Sequence, residues 1–496
     1  MLLELNKITK TYGNVTANAD IDFSLREGEV HALVGENGAG KTTLMRILYG
    51  METPTSGTIS VKGVQRAFAN PKDAIACRIG MVHQHFMLFP SFTVAENIVI
   101  GREPAGRLGF DRKQALKQVQ ALSNAYGMPV EPGIKIADCP LGVQQRVEIL
   151  KVLYQGADII ILDEPTAVLT PLEVKELLLS VKRLARQGKS FILISHKLQE
   201  VLEVADRITV LRDGRVTGTV NAAESNIDEL SRLMVGRELA NLARTNLQPG
   251  EAVLELNDVT IRGERGKPLL DRVNLQVRKR EIVGVAGISG NGQSELLQAI
   301  AGLMPIDEGE IKLSGSNVAG QSVRKVRSAG LAHIPEDRYQ WGVAKDATVT
   351  ENGLMGHMRN HSKFGLLKGR GIRSMVAGWV GRFGIKTGSL ETKAQHLSGG
   401  NLQKLIVARE LAQETPLLLA AEPTRGVDVG AMEIIHGELL AKRNEGGAIL
   451  LVSSELTEIL KLSDRIVVMY EGEIAGELTA AESTEERISL LMAGGE

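Results

Sequence analysis

Eight consecutive residues carry the clearest chemistry in the chain. Gly35-Glu36-Asn37-Gly38-Ala39-Gly40-Lys41-Thr42 fits the spacing G-x-x-x-x-G-K-T. In that pattern glycines let backbone N–H groups curl around phosphate oxygens, a lysine reaches the β- and γ-phosphates, and a hydroxyl turns toward Mg2+. Lys41 and Thr42 fill the last two roles. Thr43 follows at the start of a helix whose positive N-terminal end adds to the anion site. Farther along, Ile159-Ile160-Ile161-Leu162-Asp163-Glu164 is an apolar run that ends in two acids. Asp163 is placed to hold Mg2+ through its water shell, and Glu164 to polarise an attacking water. Either motif alone could be an ordinary turn or strand end. Together they point to nucleotide hydrolysis.

The elements that must position these residues occur twice. Gly287-Ile288-Ser289-Gly290-Asn291-Gly292-Gln293-Ser294 repeats the glycine-rich stretch 252 residues later, and Ala421-Glu422-Pro423-Thr424 repeats Asp163-Glu164-Pro165-Thr166 after 258. Leu254-Glu255-Leu256-Asn257 likewise echoes Leu3-Glu4-Leu5-Asn6. A period this long is a duplicated domain, since solenoid repeats run to roughly 20–50 residues. The chain is therefore expected to hold domains at 1–240 and 251–496, with a short linker near Asn241–Gly250. Strands are expected at 29–34, 158–162 and 191–195, and again at 281–286, 416–420 and 449–453. Helices over 43–48 and 295–300 follow the glycine-rich turns. Strands alternating with helices imply an α/β fold, each half a mainly parallel sheet covered by helices.

Composition narrows the class. The 496 residues include 58 Lys+Arg and 59 Asp+Glu, a balance that gives no support for a nucleic-acid partner. No run approaches the ~18 apolar residues of a membrane-spanning helix, and Met1–Asn6 has no signal-peptide character, so a soluble intracellular chain is expected. Cys77 and Cys139 imply no disulfide framework and no redox chemistry.

With its motifs in order, the sequence resembles the ATP-binding cassette (ABC) family over nearly the whole chain. The resemblance implies two tandem P-loop domains, each with a helical subdomain. It implies that Tyr12 stacks on adenine, that Gln84 in Met81-Val82-His83-Gln84-His85-Phe86 is the Q-loop glutamine and a Mg2+ ligand with Thr42 and Asp163, and that His196 is the switch histidine. Leu397-Ser398-Gly399-Gly400-Asn401 matches the family signature, in which Ser398, Gly399, Gly400 and Asn401 hold a γ-phosphate presented by the other cassette. Glu164, His196, Gln84 and Lys41 are then the catalytic set. ATP and Mg2+ are the implied ligands.

The two halves differ in a complementary way. The second has Gln293 for the phosphate lysine, Ala421 for the Mg2+ carboxylate, Ser454 for the switch histidine, Glu336 at the Q-loop position and Gly263 near the adenine aromatic. The first has a spoiled signature, Cys139-Pro140-Leu141-Gly142-Val143, in which Pro140 offers neither hydroxyl nor N–H. If the cassettes pair head to tail within the chain, every defect falls on one composite site and the other stays intact. One hydrolytic site per chain is the expectation, although Glu422 keeps the position of Glu164.

Cassettes without membrane spans need transmembrane permease subunits, and in importers an extracytoplasmic solute-binding protein. The resemblance thus places the chain on the cytoplasmic side of the cell membrane as a peripheral subunit. His85-Phe86-Met87-Leu88-Phe89-Pro90-Ser91-Phe92 holds three of the nine Phe residues, and in ABC importers this stretch receives a helix of the membrane subunit. Thr424-Arg425-Gly426-Val427-Asp428-Val429-Gly430 and Ile334-Pro335-Glu336-Asp337-Arg338 resemble the bacterial simple-sugar and nucleoside importer group. The residues after Gln84, Asn97, and Ala420-Ala421-Glu422-Pro423 resemble its nucleoside branch, so nucleoside uptake is the expected function. A simple sugar such as ribose or galactose is the alternative; a soluble tandem ATPase acting on ribosomes or DNA is a third reading, opposed by the short linker and the degraded site. The basic run Lys363, Lys368, Arg370 and Arg373 reads as a solvated face, and Met492–Glu496 as a frayed tail.

Overall fold

A computed structural model describes the chain except residues 14, 85, 107–108, 167–168, 170, 238–243, 264–267, 289, 360, 364–365, 493 and 496. His85, Ser289, Glu496 and the first part of the linker, from Asn241, thus lie outside the described residues, as does the side chain of Lys363. Two compact units are present, Met1–Leu239 and Ala240–Glu496.

In the first unit the apolar runs become strands Val30–Gly35, Ile159–Asp163 and Ser190–Ile194, buried at every residue. Continuous burial on both faces is what a parallel sheet under helices demands. The six-stranded sheet runs Arg215–Asn221, Arg207–Arg212, Val30–Gly35, Ser190–Ile194, Ile159–Asp163, Ile79–Val82, and only Arg215–Asn221 is antiparallel to its neighbour. The expected strands lie within one residue of those found. The helix behind the glycine-rich turn begins earlier than expected, at Lys41, because Gly40 at its N-cap takes a left-handed φ of 98° and hands over directly to helical geometry. A second, antiparallel sheet accompanies the first in the order Val15–Leu25, Leu3–Tyr12, Ser56–Val61, Val64–Arg66. Its inward residues, among them Leu3, Leu5, Ile8 and Phe23, share one core with the helix Lys41–Leu48. Cys77, at the end of helix Pro71–Ala76, packs partly against this core.

Helices Val94–Val99, Arg112–Tyr126 and Leu141–Tyr154 pack on one another as a helical subdomain. Val94–Val99 opens with a capping box, Thr93 and Glu96 exchanging bonds with each other's backbone N–H, a device worth roughly 1 kcal/mol.

The second unit repeats the plan. Its six-stranded sheet runs Leu331–Ile334, Leu417–Ala421, Ala448–Val452, Glu281–Ala286, Arg465–Tyr470, Glu473–Thr479. An antiparallel sheet again lies beside it, and Thr348 with Glu351 repeats the capping box. No helix among the described residues is long and apolar enough to cross a membrane.

One ion pair of this unit has no counterpart among the described residues of the first. Arg443 is fully buried and donates to both carboxylate oxygens of Asp464, at 2.8 and 2.5 Å. It also donates to the Thr245 carbonyl at 2.9 Å, and Arg244 bonds the Ser463 carbonyl. The segment from Arg244 is thereby tied onto the second unit. In the first unit Ala185 occupies the position 258 residues earlier. Removing one partner of a buried ion pair costs about 3–5 kcal/mol. Arg443→Met is therefore expected to destabilise the second unit by that order and to expose the Arg244–Gly250 segment to protease; chemical unfolding and limited proteolysis check both.

Candidate active site

The chemistry gathers at one end of the first unit's parallel sheet. Parallel strands all point their C-terminal ends the same way, and ligands of such sheets bind there. The glycine-rich loop leaves Val30–Gly35. His196 lies two residues beyond Ser190–Ile194, Asp163 and Glu164 at the end of Ile159–Asp163, and Gln84 two residues beyond Ile79–Val82. These are four neighbouring strands.

Glu164 takes a left-handed backbone, φ 46°, with its N–H donating to the Ile194 carbonyl at 3.0 Å. Such a conformation is strained for a side chain with Cβ. Its carboxylate is gripped from both flanks: Gln84 Nε2 donates to Oε2 at 2.9 Å, and His196 Nδ1 lies 3.0 Å from Oε1. The bond with His196 holds the Glu164 carboxyl below the usual range, against the effect of burial. Asp163 beside it is pushed up to about 6, first by burial and then by the charge of Glu164.

In the glycine-rich loop, Lys41 is buried and its Nζ donates to the Gly35 and Glu36 carbonyls at 2.7 and 3.0 Å. Burial lowers the pKa of this ammonium, while Glu164 and Asp163 oppose that. Gly40 has no substitute, because a Cβ there would lie 2.4 Å from the Ala17 carbonyl oxygen and 2.5 Å from Asn18 Nδ2. Asn37, Gly38 and Thr42 are exposed at the loop mouth, Ala39 is buried in the core, and Thr43 is part-buried on the helix. Tyr12 is 45% exposed at the end of strand Leu3–Tyr12, with Lys10 Nζ 4.9 Å from its ring centroid. Lys10 is itself fixed by Glu52 at 3.1 Å and the Thr53 carbonyl at 2.8 Å. Bracing of Tyr12 by Lys10 and of Gly40 by Asn18 had no motif to announce it.

The two signature positions differ as their sequences do. In the second unit Ser398 caps helix Gly399–Leu411, accepting from Asn401 N at 3.4 Å and from its Nδ2 at 2.8 Å. Asn401 Oδ1 accepts from Lys386 N at 2.9 Å. Gly400 lies so near the Gly426 carbonyl that a Cβ would be 2.7 Å from its oxygen. In the first unit Pro140 stands at the cap of helix Leu141–Tyr154 and makes no side-chain cap bond.

The second unit keeps the skeleton of the phosphate site with other side chains. Glu422 repeats the left-handed φ of 46°, yet its carboxylate accepts from Ser454 N at 2.6 Å and Ser454 Oγ at 3.1 Å. Ser294 Oγ donates to Glu336 at 2.6 Å. Gln293 is buried with its amide against Gly287, and Ala421 leaves no carboxylate where the first unit has Asp163.

A family model described as "ABC transporter" matches residues 19–167 and 270–425. The chain belongs to the ABC transporter family. It is an ATP-binding, ATP-hydrolysing member, with one such match in each unit. Among similar proteins, a nucleoside import ATP-binding protein (NupA) of Lactococcus lactis subsp. cremoris is 46% identical over 100% of this chain and 98% of its own length. A guanosine import ATP-binding protein (NupO) of Bacillus subtilis is 45% identical over 99% and 97%. A ribose import ATP-binding protein (RbsA) of Bacillus subtilis is 39% identical over the full length of both.

Burial pushes Glu422 up to about 7, above an ordinary value of 4.5. Between those values the folded chain keeps a proton that the unfolded chain has released. Stability therefore falls as pH rises through this window and stays reduced above it. Glu422→Gln removes that titration. The variant is expected to gain about 3 kcal/mol over the natural chain at pH 8, with the advantage fading toward pH 4.5. Urea unfolding of both chains at pH 5 and pH 8 checks it, and an equal difference at the two values would contradict it.

Proposed function

We propose that the chain is the ATPase subunit of a bacterial-type nucleoside importer, working with one hydrolytic site. The observation that carries this reading is the pairing of chemistry with loss: Glu164 stands between Gln84 and His196 beside an intact lysine loop, whereas Glu422 stands on Ser454 beside Gln293 and Ala421. The high likeness to nucleoside and guanosine import proteins supports the substrate class, and the ribose importer keeps a simple sugar as the second reading.

In this reading the Gly35–Lys41 amides and the Lys41 ammonium take the phosphates, Lys41 exchanging its two carbonyl partners for phosphate oxygens. Tyr12 stacks on the adenine. Glu164 orients the attacking water, and His196, bonded to the same carboxylate, stabilises charge developing on the γ-phosphate. Thr42, Gln84 and Asp163 would hold Mg2+. The donor set is all oxygen, which suits that ion, and the raised Asp163 carboxyl is what a cation nearby would return to its charged form. When bound, the ion neutralises charge on the phosphate oxygens.

The two cassettes pair head to tail within the chain, so that Ser398, Gly399, Gly400 and Asn401 close on the nucleotide of the first loop. Complementary degradation of the other loop and signature supports that pairing. The membrane partners are permease subunits, with a solute-binding protein outside, and the chain sits on the cytoplasmic face. Met87, Phe89 and Phe92, each more than two-fifths exposed, form the apolar surface offered to the permease, Phe89 and Phe92 packing at 5.3 Å.

The test is ATP hydrolysis by the chain co-purified with its membrane partners and reconstituted with the solute-binding protein. A nucleoside is expected to stimulate turnover, and Glu164→Gln to lower it by roughly 10²–10⁴. Stimulation by a pentose or hexose alone would replace the nucleoside with the sugar reading. Full turnover in Glu164→Gln would overturn the site.

A further inference from the structure

Glu148 is an acid where an apolar residue would be expected. It lies on helix Leu141–Tyr154 between Val147 and Ile149, 3% exposed, and burial pushes its carboxyl above the usual range. Among the described residues it makes no hydrogen bond to those assigned to nucleotide. Among the described residues its hydrogen-bond partner is a backbone group: the Met87 N–H donates to Glu148 Oε1 at 2.5 Å. One turn later on the same helix face, Lys151 Nζ donates to the Met87 carbonyl at 2.9 Å. Helix Leu141–Tyr154 thus holds both polar atoms of one residue, three positions beyond Gln84. Asn97, fully buried, does the same two residues farther along, accepting from Phe89 N at 2.8 Å and donating to Phe89 O at 3.1 Å.

We propose that Glu148 and Lys151 are positioning residues for Gln84: by clamping Met87 they fix the loop from which Gln84 reaches Glu164. A buried carboxylate is costly unless it is bonded, and the second unit does without it. The position 258 residues on is Ile406, fully buried, in the unit where Glu336 stands at the Gln84 position and has no amide to donate. The helix that begins with the spoiled signature therefore keeps a task of its own, and the loop it grips also bears the exposed Met87, Phe89 and Phe92. A force on that surface reaches Gln84 through the clamped residue. The proposal rests on the reading of Glu164 and Gln84 given above.

A double-mutant cycle on the full chain tests it. Glu148→Leu is expected to lower kcat for ATP by on the order of tenfold to a hundredfold, the scale of a misplaced group, with KM within about twofold because the phosphate loop is untouched. Glu148→Gln, which keeps an acceptor for the Met87 N–H, should recover most of the loss. In a Gln84→Ala background Glu148→Leu should cost less than about twofold more. Should Glu148→Leu not fold, Lys151→Met enters the same cycle. Unchanged kcat in the single variant, or losses that multiply in the double one, would overturn the clamp. Glu164→Gln separates the two levels: turnover surviving there overturns the site reading, whereas turnover lost there with multiplying losses overturns the clamp alone.

Discussion

Parallel pairing among four strands governs the first unit's chemistry. Ser190–Ile194 lies in register with Ile159–Asp163 so that Ile194 pairs with Asp163, and Val82 on the other side pairs with Leu162. That register sets Gln84 and His196 on opposite flanks of Glu164, each two residues past its strand. A slip of one residue would turn every side chain to the opposite face, and the carboxylate would lose both donors. The burial of these strands is thus more than a core. It fixes a three-residue constellation within hydrogen-bond reach, while the glycine loop on the adjoining strand brings Lys41 to the same sheet end.

The second unit shows that the skeleton and the chemistry separate. Its register is the same, with Ala421 paired to Val452, and the strained φ at Glu422 matches that at Glu164 to the degree. What changed is how polar groups are satisfied. Ser454 is short enough for its own N–H and hydroxyl to reach Glu422, and Ser294 turns its hydroxyl to Glu336. Ser294 and Glu336, at the positions of Thr42 and Gln84, bond to each other. A fold held by buried apolar strands tolerates such replacements because the chemistry resides in side chains grafted onto the shared skeleton.

Much of this could be read in the residues because the motifs are local. A glycine-rich turn needs left-handed backbone at fixed offsets, and a buried parallel strand is a bare apolar run, so Gly35–Thr42 and Ile159–Glu164 announce both element and role. Gln84 and His196 were legible through resemblance, in order along the chain, but their meeting on one carboxylate is a fact of strand order that spacing does not contain. The antiparallel sheet was missed: strands Leu3–Tyr12 and Val15–Leu25 carry several polar residues and irregular register, which blurs the period of two. Glu148, Lys10 and Arg443 were missed for another reason. Each is a single charge whose partner lies far away in sequence or on backbone atoms, and one sequence carries no sign of such pairs.

The central claim is one hydrolytic site per chain, in the first unit. It is tested most directly by trapping hydrolysed nucleotide in the assembled transporter with vanadate and a photoactivatable ATP, then mapping the labelled peptides. Label confined to peptides of the first unit's phosphate loop and adenine strand, and abolished by Glu164→Gln, is the expected result. Equal trapped label on peptides around Gln293 would contradict it.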